Sequence, residues 1–298
     1  MNITISGATG FIGRRLLKTL AGAGHSLHVL SRHAGANMPV GVRLSVWDPI
    51  KGQPPRESLE RADAVIHLAG EPVAQRWTAE AKRRIRESRT DGTRHLVEAL
   101  SSLSQRPGVL VSASAVGYYG SRGEEVLDES SPPAVGFLPE VCVAWEKEAQ
   151  AAMALGMRVV VIRIGVALDP RGGALGRMLL PFRLGAGGRL GSGRQWMSWI
   201  HLADLVEQFR FVVENPVGGV WNGVAPVPVT NREFTRELAR ALRRPAFFPV
   251  PPLSLKLMFG EMSQVLLESQ RIAPRAAQAA GFRYRFPDLG PALADLLK

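Results

Sequence analysis

Residues 1–13 read MNITISGATGFIG. Ile3 and Ile5 alternate with polar residues as on a β-strand, glycines follow at positions 7, 10 and 13, and Ile12, Leu16 and Leu20 continue at helical spacing. A strand that turns into a helix through glycines three apart is the arrangement that holds a dinucleotide. The first glycine takes the tight turn, the second lets the backbone approach a pyrophosphate, and the third lets helix and strand pack closely. The helix N-terminus then offers free amides and the positive end of its dipole to the phosphates. Gly7, Thr9, Gly10, Phe11 and Ile12 are therefore assigned to the cofactor. A glycine turn of structural use only is the weaker reading, because it would need neither the strand before it nor the amphipathic helix after it.

The end of the second strand pattern selects the dinucleotide. An acidic residue there would take the ribose hydroxyls of NAD, whereas an arginine accommodates the 2′-phosphate of NADP. This chain reads HVLSRH at residues 28–33, so Ser31 and Arg32 point to NADP(H). Ser31 is a hydrogen-bond donor, and Arg32 supplies charge for the phosphate and a plane for the adenine. The plain alternative for Arg32 is an exposed arginine that follows a strand.

Composition sets the broad class. The chain has 298 residues, 46% of them apolar, enough for a large α/β core. Cys142 is the only cysteine, so no disulfide framework exists, and no apolar run reaches the length of a membrane span. With Met1 leading directly into a strand, no signal peptide is read and a cytoplasmic protein is expected. The net charge of +11 favours encounters with phosphorylated molecules, nucleic acid among them, without naming one. Its densest part, Lys82 to Arg94, is interleaved with Glu80, Glu87 and Asp91, which reads as a solvated helix face rather than a nucleic-acid surface. A homodimer is compatible with the composition and is not required by it.

Strand and helix patterns alternate to about Asn231, giving an α/β class with a doubly wound parallel Rossmann sheet. Strands are expected at 2–6, 26–31, 64–68, 108–112 and 158–164, and helices at 12–23, 79–102 and 137–155. Composition changes after Arg244, where PAFFPVPPLSLKLMFGEM begins. Residues 1–235 are read as the NAD(P)-binding Rossmann domain, with 166–200 contributing to the substrate side. Residues 236–298 are read as a small C-terminal subdomain over the ligand edge of the sheet.

Several stretches in order resemble the extended short-chain dehydrogenase/reductases. GATGFIG matches their cofactor loop, VIHLAG (65–70) the strand beside the nicotinamide ribose, and DGTRHLVEAL (91–100) the helix after it. SASAVGYYG (112–120) is similar to their serine and tyrosine region, and VVVIRIGVAL (159–168) to the strand that approaches the nicotinamide. More narrowly, HLAGEPV, SRTDGT, EVCVAWEKEA, GSGRQWMSWIHLADLV and GFRYRFPDL together resemble the atypical YfcH-like group of epimerase-family proteins, which carry a C-terminal domain of unknown function. The resemblance implies the fold and an NADP cofactor, and says little of the chemistry. It places Leu68, Ala69, Gly70, Glu71, Arg89, Ser112 and Ile164 beside the cofactor.

The chain departs from the usual enzymes of that family in one respect. Typical members carry Tyr-x-x-x-Lys on the helix after the serine strand, so that the ammonium lowers the tyrosine pKa. Here that helix reads GFLPEVCVAWEKEA, with no tyrosine and with Val143 four residues before Lys147. Ser114, Tyr118 and Tyr119 remain as catalytic candidates, either polarising a substrate oxygen or packing a loop. Glu71 and Arg89 either bind substrate or pair with one another. Cys142 and Glu146 lie one turn apart on the altered helix, with Cys142 read as packing. Gln195, Trp196, Trp199 and His201 form the expected substrate side, although His201 also reads as structural. No histidine or carboxylate spacing makes a metal site. Two functions follow: an NADP(H)-dependent oxidoreductase or epimerase-like protein acting on a small carbonyl or sugar-like substrate, or a catalytically weak NADPH sensor.

Overall fold

The computed structural model of the protein describes residues 1–36 and 38–298. The opening stretch forms β1 (Asn2–Ser6) and α1 (Phe11–Gly22), and the chain continues through β2 (Ser26–Ser31), β3 (Arg43–Val46), β4 (Ala64–His67), α2 (Ala79–Ser101) and β5 (Val109–Ala115). Next come β6 (Val126–Leu127), α3 (Phe137–Gln150), β7 (Arg158–Ile164), β8 (Val166–Asp169) and α4 (Gly173–Arg183). They are followed by β9 (Trp196–Met197), β10 (Trp199–His201), α5 (Leu202–Glu214), β11 (Gly219–Gly223), β12 (Val229–Thr230) and α6 (Asn231–Leu242). Seven strands form one sheet in the order β11-β7-β5-β4-β1-β2-β3. Every pairing in it is parallel. The chain order reverses at β1, whose neighbours are β2 and β4. Such a reversal opens a crevice at the carboxyl ends of the strands, where open α/β sheets bind ligands.

The alternation of the strands explains the two covered faces. Ile3, Ile5, Val29, Ile66, Val111, Val160 and Ile162 meet Leu16, Leu17 and Leu20 of α1 and Leu205, Val206, Phe209 and Val212 of α5. Residues of opposite parity, Leu30, Val65, Leu110, Val159 and Val161, meet Leu96, Val97 and Leu100 of α2. Fully burying each such aliphatic side chain is worth about 1.5–3 kcal/mol, and period-2 strands let one sheet collect that on both faces. α2 starts where Thr78 Oγ1 accepts from Ala81 N at 3.1 Å. Its basic face is laced with pairs such as Arg84–Glu80, Arg83–Glu87 and Arg94–Glu148, as a solvated helix face should be.

The C-terminal segment contributes α7 (Pro252–Phe259), α8 (Ser263–Leu267), β13 (Arg271–Ile272), α9 (Arg275–Ala279) and α10 (Leu289–Leu296). It is fastened at several places. β13 pairs with β6. Phe286, Leu289 and Leu293 pack with Phe234 and Leu238 of α6. The Asp204 carboxylate accepts from Arg285 N and Phe286 N, each at 2.9 Å.

Two sheet strands lie outside the sequence reading. β3 is an edge strand of mixed exposure, and β11 reads GVWNG, whose glycines and Asn222 hide its strand character. The third helix is also shorter than read: α3 ends at Gln150 and a 3₁₀ segment, Ala151–Leu155, leads into left-handed Gly156. Among the described residues no helix is long and apolar enough to cross a membrane.

Candidate active site

The glycine loop sits at the sheet's order reversal. Gly7 has φ +71°, and a Cβ there would lie 2.6 Å from the Leu68 carbonyl carbon, so the β1 turn and the end of β4 touch backbone to backbone. A Cβ on Gly13 would overlap Gly7 and Ala8, which lets α1 lie against the loop. Gly10 caps α1, donates to Gly7 O at 3.0 Å, and has only that oxygen near a hypothetical Cβ. The side of Gly10 away from the protein is open. Bare amides at a helix start with no acidic residue in its first turn suit a pyrophosphate. At the next strand end Ser31 is buried and its Oγ accepts from His33 N at 3.2 Å, which leaves the hydroxyl proton to donate. Arg32 is exposed beside it. These residues fit a 2′-phosphorylated dinucleotide.

Under the crevice lies His67, wholly buried at the end of β4, with Nδ1 2.6 Å from Ser6 Oγ. Burial, with the Arg89 charge, lowers its pKa to about 4, so the ring is neutral at pH 7. Glu71 and Arg89 do not join as an ion pair. Arg89 donates from one nitrogen to the carbonyls of Glu71 and Ile85, each at 3.0 Å, and its guanidinium lies 5.1 Å from the Trp145 ring centre. The Glu71 carboxylate instead faces Gln75 at 3.3 Å and Arg84 at 3.8 Å. Arg89 thus holds the loop that follows Leu68, Ala69 and Gly70, and a Cβ on Gly70 would sit 3.2 Å from its guanidinium carbon. Ser112 is buried opposite His67 in the β4–β5 register, and Ile164 ends β7 opposite Ala115.

The serine and tyrosine region holds a buried network that the sequence reading missed. Ser114 Oγ donates to Glu146 Oε1 at 2.6 Å. Arg163 donates to both oxygens of the same carboxylate, at 2.9 and 2.8 Å, with both side chains under a tenth exposed. The third Arg163 nitrogen donates to the Tyr119 hydroxyl at 2.9 Å, and that hydroxyl donates to Asn222 Oδ1 at 2.7 Å. Asn222 in turn donates to Ala273 O at 3.0 Å, so the network ends in the C-terminal segment. The signal in the sequence was Arg163 itself, a lone cation in the apolar run VVVIRIGV, which a buried strand tolerates only with a carboxylate partner.

This geometry bears on three of the candidates. Tyr119 is fully buried, both functions of its hydroxyl are taken, and burial pushes its pKa up to about 12. Ser114 is buried and directs its proton at Glu146. The face of α3 turned to Ser114 carries the Cys142 thiol and the paired Glu146 carboxylate. Cys142 is buried, with its pKa raised to about 11 by burial and by Glu146, which agrees with packing. Tyr118 differs from its neighbour. It is half-buried, and its ring lies against the Arg163 guanidinium at 3.4 Å from the centre.

The expected substrate side is split. Gln195 is buried and donates to Leu190 O at 3.1 Å, Trp199 is fully buried and donates to Val227 O at 3.0 Å, and His201 caps α5 by accepting from Ala203 N at 3.0 Å. His201 is also stacked on Phe286 at 4.0 Å. These three are therefore occupied with holding the fold. Trp196 is half-buried, donates to Glu124 at 2.6 Å and stacks on Arg271 at 4.4 Å, at the edge of a depression of about 420 Å³ that none of the glycine-loop residues lines. Among the described residues no group of histidine, cysteine and carboxylate side chains is placed to hold a metal ion.

A glycine loop at the β1 reversal, a buried histidine beneath it and a sheet in this order describe a family as well as a fold. Residues 3–224 match the model of the NAD dependent epimerase/dehydratase family. The chain belongs to that family. Residues 250–296 match a second model, described as a domain of unknown function (DUF1731). The epimerase family protein YfhF of Bacillus subtilis is 38% identical over 299 residues, covering 100% of this chain and 98% of the relative. The crystal structure of human epimerase family protein SDR39U1 (isoform 2) with NADPH superposes with a TM-score of 0.89 at 36% identity, covering 100% of this chain and 99% of that one. Thermus thermophilus UDP-glucose 4-epimerase, in complex with NAD, gives a TM-score of 0.80 at 21% identity over 100% of this chain and 98% of that one, a likeness of fold. The resemblance read from the sequence and the Rossmann fold class are both met.

Proposed function

We propose that the protein binds NADPH across the β1–α1 loop and the end of β2, and serves hydride transfer with a small carbonyl or sugar-like substrate at the carboxyl ends of β4, β5 and β7. The observation that carries this reading is the loop itself: Gly7 held at positive φ against Leu68, Gly10 open, and Ser31 with exposed Arg32 at the next strand end. The human relative crystallised with NADPH supports the choice of dinucleotide. The cofactor supplies the hydride. The chain's own part is to cradle the pyrophosphate on α1, to hold the 68–71 loop through Arg89, and to present Tyr118 as the hydroxyl that donates to the substrate oxygen. Tyr118 is the member of the serine–tyrosine region whose hydroxyl the buried network leaves out.

A second reading, an NADPH-binding sensor with little turnover, is favoured by the locked Ser114–Glu146–Arg163 cluster in place of an acid–base couple. Calorimetry with NADPH and NADH tests the shared part. NADPH should bind more than tenfold tighter, a difference above about 1.4 kcal/mol, and Arg32→Ala should remove most of it. Equal affinities for the two dinucleotides would overturn the assignment. NADPH oxidation across a panel of carbonyl compounds then separates enzyme from sensor.

A further inference from the structure

The surface beside α4 and α7 is apolar and basic at once. Residues 170–203 contain five arginines and no acid, and residues 238–260 contain four basic residues and no acid. The two stretches lie side by side: Val250 N donates to Arg189 O at 2.8 Å, and Gly191 N donates to Val250 O at 2.9 Å. The hypothetical Cβ of Gly185 also reaches Pro245 at 3.9 Å. Each stretch exposes the same pattern from a helix. α4 shows Leu180 and its C-cap Leu184 around Arg183, and α7 shows Leu253 and Leu257 around Lys256. Spacings of three and four residues put each set on one helix face. Between the helices the proline-bounded loop carries Phe247 and Phe248, 82% and 71% exposed, next to exposed Arg243 and Arg244.

α7 cannot be explained as an ordinary surface helix. Leu255 is buried against the protein, while Leu253 and Leu257 are 68% and 74% exposed on the other side, and Met258 on the flank is 67% exposed. A helix that is apolar on both faces is one that something covers. A second copy of the chain is disfavoured as the cover, because it would bring Arg183, Arg243, Arg244 and Lys256 against their own equivalents. Aliphatic and aromatic anchors interleaved with cations on short elements match the interface of an anionic bilayer, where the apolar tips enter the acyl boundary and the cations meet phosphate.

We infer that this face, formed by the exposed sides of α4 and α7 and the Phe247–Phe248 loop, docks the protein on an anionic lipid surface. Its position matters for the cleft. The far end of α7 meets the loop after β4, with Gly260 beside Arg76 and Glu261 paired with Lys82, while Arg177 of α4 reaches Ala74 O at 3.4 Å. α4 starts against Phe11 of the glycine loop, where a Cβ on Gly172 would lie 2.8 Å from the ring. The docking face therefore borders the mouth of the crevice, and a docked protein would open its cleft toward the membrane surface.

The test is co-sedimentation of the full chain with vesicles of phosphatidylglycerol and phosphatidylcholine in equal parts, against vesicles of phosphatidylcholine alone, in 0.1 M salt. At least tenfold stronger partitioning onto the anionic vesicles is expected, weakening as salt is raised. Two triple variants, Phe247→Ser/Phe248→Ser/Leu257→Ser and Arg243→Glu/Arg244→Glu/Lys256→Glu, should each lose at least tenfold in partitioning. Both should keep the wild-type melting temperature and NADPH affinity, which shows that they fold. Equal binding to both vesicle types, or full binding by either folded variant, would overturn the inference. So would a wild-type dimer in sedimentation velocity that the apolar variant dissociates, since a second copy would then be the occupant. Binding of soluble poly-glutamate as tight as that of the vesicles would likewise transfer the face to an acidic protein partner.

Discussion

Replacing Arg163 by methionine keeps most of the side chain's length and deletes its charge. The guanidinium makes two bonds to Glu146 and one to the Tyr119 hydroxyl, all at 2.9 Å or less, and its side chain is 4% exposed. The variant leaves the Glu146 carboxylate buried with Ser114 as its remaining donor. Breaking one side of a buried pair costs about 3–5 kcal/mol, mostly the desolvation of the charge left behind. For a chain of this size that is a fall in melting temperature of roughly 5–8 °C. Equilibrium urea unfolding followed by tryptophan fluorescence measures it, with the slope unchanged if the transition remains two-state. The decisive arm is the double variant Arg163→Met/Glu146→Met. With no carboxylate left to bury, it should be more stable than Arg163→Met alone, a coupling of about 2 kcal/mol or more. A single variant within about 1 kcal/mol of wild type, or strictly additive losses, would refute the view that the pair is held by mutual compensation.

Three further outcomes are expected. Gly7→Ala and Gly10→Val should separate folding from binding: the first forces a Cβ to 2.6 Å from Leu68 at positive φ and should lower stability by several kcal/mol, while the second should fold and lose NADPH in calorimetry. His67 and His201 each have a pKa lowered by burial from 6.5 to about 4. Between those values the unfolded chain binds more protons than the folded one, so stability should be complete above about pH 6.5 and fall as pH drops toward 4. The loss should approach about 3 kcal/mol per histidine in urea titrations, and His67→Gln should flatten the profile. Tyr119→Phe should cost about 1–3 kcal/mol of stability by leaving Asn222 and Arg163 short of a partner, whereas Tyr118→Phe should leave stability nearly unchanged and, once a substrate is in hand, lower turnover at least tenfold. Native turnover in Tyr118→Phe would end its role as donor.

The parts of this protein that were legible in its sequence are those set by short-range geometry. Three glycines between a β-branched run and an amphipathic helix leave the backbone little choice, and the end of the next strand sets Ser31 and Arg32 side by side, the pair on which the proposed NADPH preference rests. β3 and β11 were missed because an edge strand and a GVWNG strand draw their strand character from the neighbour they pair with, which is tertiary information. The same limit governed the site. Ser114, Tyr118 and Tyr119 are adjacent in sequence and equivalent by type, and only the fold divides them. β7 brings Arg163 under the two rings, α3 brings Glu146 to the serine, and β11 brings Asn222 to the second tyrosine. A cation in a buried strand must find its counter-charge on some other element, so the charged residue that breaks an apolar run is the place where long-range structure can be inferred before it is seen. Arg163 met Glu146, and with Ser114, Tyr119 and Asn222 the pair closes a buried network whose hydrogen bonds do not include the Tyr118 hydroxyl, the observation on which its proposed role as donor rests.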